Sequence, residues 1–142
     1  MSSSVISTRA AEPVGSFPHA RRVGNLLFLS GIGPRVRGSK EIPGVVLDAE
    51  GNVVAKDIVA QCKSVFANVR AILEDAGTTW DRLVDVTVFL TDMKMDFEAY
   101  NRLWAEYFCD AQPCRTTVEV TCLPTPIAIE LKCIATMPED RP

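Results

Sequence analysis

The chain has few of the residues that bind metals, cross membranes or grip nucleic acid. One histidine among 142 residues, and five cysteines without a C-x-x-C pair, leave no ordinary zinc-ligand spacing, so no metal or other cofactor is expected. Cys62, Cys109, Cys114, Cys122 and Cys133 are odd in number and scattered, which fits reduced thiols in a cytoplasmic protein rather than a disulfide frame. No apolar run approaches the roughly 18 residues of a membrane helix, and the opening MSSSVISTRAAEP lacks the apolar stretch of a secretion signal. Basic residues are in deficit, 15 Lys and Arg against 18 Asp and Glu, which argues against a phosphate-binding surface. The small group Arg35, Arg37 and Lys40 fits a solvated loop. Internal repeats are absent, and low complexity is confined to the serines at the start.

What is present suits one soluble domain over 1–142. Apolar residues make up 47% and charged residues 23%, and the length is sufficient to bury a core. Residues 1–14 are expected to form a flexible N-terminal segment. Val23–Gly31 reads as a turn followed by a buried strand. The polar stretch Arg35–Gly51, punctuated by glycine and proline, is too long for a plain hairpin loop and is either functional or a mobile excursion. From the N-cap candidate Asp57, Ile58, Cys62, Val65, Phe66, Val69, Ile72 and Leu73 recur at helical steps until Gly77 closes the helix. Leu83–Leu90 alternates and is β-branched, a strand. Asp96 is the candidate cap of a second helix with Phe97, Tyr100, Leu103, Trp104, Tyr107 and Phe108 on its apolar face.

Pro113–Ala135 carries the chemical signal. It reads as two strands joined at Leu123-Pro124-Thr125-Pro126, with Arg115 on one arm and Glu130 among Ile127, Ile129, Leu131 and Ile134 on the other. An acid in such apolar surroundings is costly to desolvate unless it is paired or used. Pairing of the two arms as a hairpin predicts that Arg115 and Glu130 meet at the mouth of a site. The expected architecture is α+β, a single mixed sheet with two helices on one face. The strands Leu26–Leu29, Leu83–Leu90 and Ile127–Ile134 are apolar at nearly every position, so the other sheet face needs a cover, and a partner subunit would supply it.

Several pieces in this order resemble the RidA (YjgF-like) reactive-intermediate deaminase family from about Gly15 to Ala135. They are Leu29-Ser30-Gly31, the run Asn68–Gly77, Val86–Asp92, Asp96-Phe97 with Asn101, Arg115, Leu123-Pro124 and Ile129-Glu130. The resemblance implies a chorismate-mutase-like fold whose sheets pack as a trimeric barrel, possible pairing of trimers into hexamers, and clefts between neighbouring subunits. It also implies cofactor-independent hydrolysis of an enamine or imine. The long Arg35–Gly51 insertion and the segment Gly15–Arg21 are similar to the 2-aminomuconate deaminases of bacterial aminophenol and nitrobenzoate breakdown, which release 4-oxalocrotonate and ammonia. A general deaminase of 2-aminoacrylate-type enamines is the nearest alternative, and a non-catalytic ligand-binding regulatory module the second.

In this reading Arg115 grips the carboxylate of a small dicarboxylate enamine through two parallel hydrogen bonds, helped by the Gly31 N–H and neighbouring Ser30. Glu130 activates water. Asn101 and Thr117 are candidate pocket residues. Phe17 stands where the family usually has tyrosine, and His19 is the candidate for the lost polar role. Arg21, Arg35 or Arg37 would hold the far carboxylate. The plain alternatives are a structural Arg115–Glu130 ion pair, an Asn101 bonded to a loop carbonyl and a His19 exposed on a loop.

Overall fold

The computed structural model describes residues 2–139. In chain order the elements are β1 (Ser2–Val5), β2 (Ala20–Val23), β3 (Leu26–Leu29), β4 (Val45–Leu47), β5 (Val53–Lys56), α1 (Ile58–Ala76), β6 (Leu83–Leu90), α2 (Met93–Tyr107), β7 (Cys114–Glu119) and β8 (Ile129–Thr136), with a short 3-10 turn at Trp80–Arg82. Six strands form one mixed sheet in the order β1-β2-β3-β8-β6-β7, and β4 pairs with β5 in a separate two-stranded ribbon. The β6–β7 pair is parallel and its connection runs through α2, as parallel pairing requires. The remaining pairs are antiparallel. This is the α+β arrangement that the order of elements predicts.

Both helices start on an aspartate. Asp57 accepts hydrogen bonds from the Val59 and Ala60 N–H groups, and α1 ends at Gly77, whose φ of 91° places it in the left-handed region that glycine tolerates best. The second cap is Asp92, not Asp96: α2 begins one turn earlier, and the Asp92 carboxylate takes the Met95 N–H. Asp96 instead lies inside the first turn, buried, with its carboxylate 2.8 Å from Lys56 Nζ on β5. That ion pair ties the β4–β5 ribbon to α2.

Alternation decides the layers. Val86, Val88 and Leu90 of β6 and Ile129, Leu131, Cys133 and Ala135 of β8 are buried with Cys62, Val65, Phe66, Val69, Ile72 and Leu73 of α1. The opposite sheet face carries Leu26, Phe28, Phe89 and Ile134 beside Thr87 and Lys132, all exposed or half-exposed.

Other expectations also need correction. The arms of Pro113–Ala135 do not pair with one another, because β6 inserts between β7 and β8. The chain between the arms is a crossing over the end of β6, where the Val120 N–H reaches the Leu90 carbonyl and the Thr91 N–H reaches that of Ala128. The Arg35–Gly51 insertion, expected to be a functional loop or a mobile excursion, contains β4, which pairs with β5 just beyond it.

The N-terminal segment, expected to be flexible, is part of the fold from residue 2 onward; position 1 lies outside the described residues. β1 pairs with β2, and Ser7, Ala10 and Ala11 are buried. The Ser7 hydroxyl donates to Asp75 Oδ2 at 2.6 Å and accepts from the N–H groups of Arg9 and Ala10. Arg9 bridges Glu74 and Asp75, and Arg37 donates to the carbonyls of Ser7 and Ala10. His19 is the centre of this strap and is 2% exposed. Its Nδ1 accepts the Ser7 N–H at 2.9 Å, which leaves Nε2 as the donor to the Ala11 carbonyl at 2.8 Å. Replacing Ser7 with alanine strands two backbone donors and an aspartate oxygen. Ser7→Ala should cost about 1–3 kcal/mol in urea unfolding and speed amide exchange across residues 7–13; an unchanged midpoint would show the strap to be incidental.

Candidate active site

Arg115 and Glu130 sit in different places, and the register says why. Arg115 pairs with Val86, and Glu130 pairs with Phe89 on the same central strand. Val86 and Phe89 are three residues apart, an odd step, so their side chains leave opposite faces of the sheet and their partners leave with them. Two strand spacings sideways and three residues along put the two Cα atoms roughly 14 Å apart. A structural ion pair between them within one protomer is excluded.

Arg115 faces α2 from the edge strand β7. Its guanidinium carbon lies 5.1 Å from the ring centres of Tyr100 and Trp104 and 6.0 Å from that of Phe97. These rings follow one another at positions 97, 100 and 104 along one face of the helix, and each meets the next edge to face. Among the described residues no carboxylate pairs with Arg115. Thr117 shares its face, and the Thr117 and Tyr100 hydroxyls are 2.8 Å apart. Burial pushes the Tyr100 phenol above its usual pKa, against the pull of Thr117 and Arg115, so it stays neutral.

Glu130 occupies the other face, half-buried. Burial raises its pKa above the usual carboxylate range, and the nearby Arg35 cation opposes that rise. With Phe17, Gly31, Arg35, Thr125 and Ile127 it lines a cavity of about 30 Å³. A water needs about 10–15 Å³, so within one protomer the cavity suits one or two waters. Gly31 makes the close approach of the carboxylate feasible: a Cβ there would lie 2.8 Å from Glu130 Oε2 and 3.1 Å from its Cδ.

The remaining sequence candidates divide between the two places. Phe17 is exposed at the Glu130 cavity. Ser30 lies beside Gly31, but its hydroxyl donates to the Pro18 carbonyl at 2.7 Å. Both His19 nitrogens are engaged by backbone groups, so His19 is neither an exposed loop residue nor a free polar group, and it reaches the cavity only as a wall. Asn101 is exposed on α2, next to Tyr100. Of the three candidate second cations, Arg35 lines the cavity, Arg37 spends donors on the strap, and Arg21 stands on the open sheet face opposite Phe28. Sequence reading missed the ring corner under Arg115. The spacing of Phe97, Tyr100 and Trp104 was visible as an apolar helix face, but nothing local placed a cation from another strand over it.

The comparisons with known proteins agree with this arrangement. The family model described as Endoribonuclease L-PSP matches residues 7–137. A RutC family protein of Pyrococcus abyssi is 39% identical over 92% of this chain and 94% of its own length. The chloroplastic Reactive Intermediate Deaminase A of Arabidopsis thaliana is 32% identical over 94% of this chain and 65% of its own length. Among solved structures, the YjgF gene product of E. coli superposes with a TM-score of 0.80 at 28% identity, over 94% of this chain and 98% of that one. The long paired strands, the two capped helices and the β6–α2–β7 crossover are thus those of a known lineage, and the chain belongs to the Endoribonuclease L-PSP family, that of the RutC, YjgF and RidA proteins.

Proposed function

We propose that this protein is a cofactor-independent enamine/imine deaminase whose site is completed by a second copy of the chain. The observation that carries this reading is the separation onto opposite sheet faces of a guanidinium that no carboxylate pairs among the described residues and an acid whose pKa burial raises. Among the described residues neither makes a salt bridge, although the Arg35 cation lies near Glu130, and one protomer cannot bring the two together. A neighbouring copy that lays its β7 edge near the Glu130 cavity can. The half-exposed apolar residues Leu26, Phe28, Phe89 and Ile134 on the open sheet face support such packing, and a closed trimer, alone or paired into a hexamer, is the assembly we propose. The five free thiols and the absence, among the described residues, of any helix able to cross a membrane support a cytoplasmic setting.

The chemistry follows from the two groups. Arg115 holds the substrate carboxylate with two parallel N–H···O bonds. Protonation of the enamine carbon gives the imine. Glu130, close to Gly31 and partly desolvated, takes a proton from water as its oxygen attacks the imine carbon. Glu130 gives that proton to the nitrogen of the resulting carbinolamine and takes up the hydroxyl proton as the C–N bond breaks, so that ammonia leaves and a ketone remains. The finer substrate we propose is 2-aminomuconate, converted to 4-oxalocrotonate. Arg35 supports it, because it is a second cation beside Glu130 that a dicarboxylate needs. The chloroplastic relative's name favours the broader reading, a general deaminase acting on species such as 2-aminoacrylate. Incubation with enzymatically generated 2-aminomuconate, following near-ultraviolet loss and ammonia, separates them: turnover of aminoacrylate alone would leave only the broader reading.

Two variants test the roles. Arg115→Ala should raise KM about a hundredfold, the worth of two charge-assisted hydrogen bonds, with a smaller change in kcat. Glu130→Gln should lower kcat by at least about a hundredfold while ligand affinity holds; unchanged turnover would reduce the protein to a binding module.

Stability gives an independent reading of Glu130. Its folded pKa is raised, so the folded state holds this proton more tightly than the unfolded chain. That contribution is complete at pH below the usual glutamate value and is lost as pH climbs through the raised one. Glu130→Gln should therefore leave the melting temperature at pH 8 unchanged or higher, whereas an acid in a structural ion pair would show a drop. Gly31→Ala, which forces the carboxylate aside, should lose turnover without unfolding; wild-type kcat in this variant would remove Glu130 from the reaction.

A further inference from the structure

Arg115 raises a question that its proposed role does not answer: what holds a half-buried guanidinium in place when no acid pairs with it. A carboxylate neighbour would fix it but would also neutralise the charge that an incoming anion must feel. The rings of α2 offer another solution. Tyr100 and Trp104 stand at 64° to one another with centres 6.0 Å apart, and the guanidinium carbon lies 5.1 Å from each centre. The cation therefore occupies the corner between two ring faces, with Phe97 at 6.0 Å as a third wall nearer the solvent. The Tyr100 hydroxyl is anchored on Thr117, two residues along the same strand as Arg115, which locks that ring to β7.

Ring faces attract a cation through their quadrupole and carry no net charge. Apart from a hydrogen bond shared with the neutral Tyr100 hydroxyl, they hold the guanidinium without consuming its donors, so its full positive charge and its outward N–H groups remain available. We propose that Phe97, Tyr100 and Trp104 are positioning residues that keep Arg115 as a pre-oriented, uncompensated receptor for a carboxylate. The inference rests on the reading of Arg115 as the carboxylate anchor and extends it. Discrimination between a carboxylate and its neutral isostere then depends on α2 residues that never touch the ligand. It also explains why a neutral Tyr100 matters: an ionised phenol there would pair with Arg115 and close the receptor.

The test uses the full-length protein and two probes of equal shape, propionate and propionamide, with binding followed by the Arg115 Nε–H resonance. That signal should be displaced by the ring currents in the wild type and move back toward an ordinary arginine position in Phe97→Leu. Phe97→Leu and Trp104→Phe should each weaken propionate by about three- to tenfold and leave propionamide unchanged. In turnover, KM should rise by a similar factor and kcat should fall by less. Phe97 is partly exposed and Trp104→Phe keeps a ring in the core, so both variants should fold, as melting curves will check. Wild-type propionate affinity in both variants, with propionate binding lost in Arg115→Ala, would overturn the cage while leaving the anchor intact. Retention of propionate binding in Arg115→Ala would remove the anchor and the cage together.

Discussion

The insertion of β6 between β7 and β8 is the constraint on which the candidate site depends. Two strands that follow each other in sequence are kept one strand apart, and the alternation of side chains on β6 then sends Arg115 to the helical face and Glu130 to the open one. A different register by one residue on either side would bring both groups to a common face and make an internal ion pair feasible. The register found here prevents it. Each charged group is consequently left in an environment shaped by neighbours other than its supposed partner: rings for the cation, burial beside Arg35 for the acid.

Those environments are built by parts of the chain far from either residue. The rings that hold Arg115 come from α2, whose orientation is set by the Asp92 cap and by the Lys56–Asp96 pair from the β4–β5 ribbon. The wall of the Glu130 cavity comes partly from the N-terminal strap, held by His19, Ser7, Arg37 and the Arg9–Asp75 contact. The chain's only histidine is thus engaged in backbone hydrogen bonding, a use that satisfies two buried groups at once. Arg35 joins the two regions, since it lines the Glu130 cavity and donates to the Glu12 carbonyl of the strap.

Much of this was legible in the residues. The 3.6-residue recurrence from Ile58 to Leu73 gave α1 with both of its ends, because Asp57 and Gly77 act through bonds within one turn of themselves. The alternation of Leu83–Leu90 gave β6. Gly31 was readable as a point of close approach, although the group that approaches in this structure is the Glu130 carboxylate. The cap of α2 was misplaced because Asp92 and Asp96 are one turn apart and equally suited by type. Choosing between them needed Lys56, a residue forty positions away that claims Asp96.

What the sequence determined by itself was every property that depends on near neighbours: the elements, their caps, the apolar faces, and the unusual presence of an acid inside a β-branched run. What only the tertiary structure decided was which strands touch. The proline-rich corner at Leu123–Pro126 turns the chain equally well for a hairpin or for a crossing over a third strand, and local geometry is almost the same in both. The difference lies in the pairing of β6 with β8, between residues about forty to fifty positions apart, and in the packing of α2 against β7, between residues more than a dozen positions apart. Pairing energy between distant strands leaves no periodic trace along the chain, and so the placement of Arg115 and Glu130 on opposite faces became visible only in three dimensions.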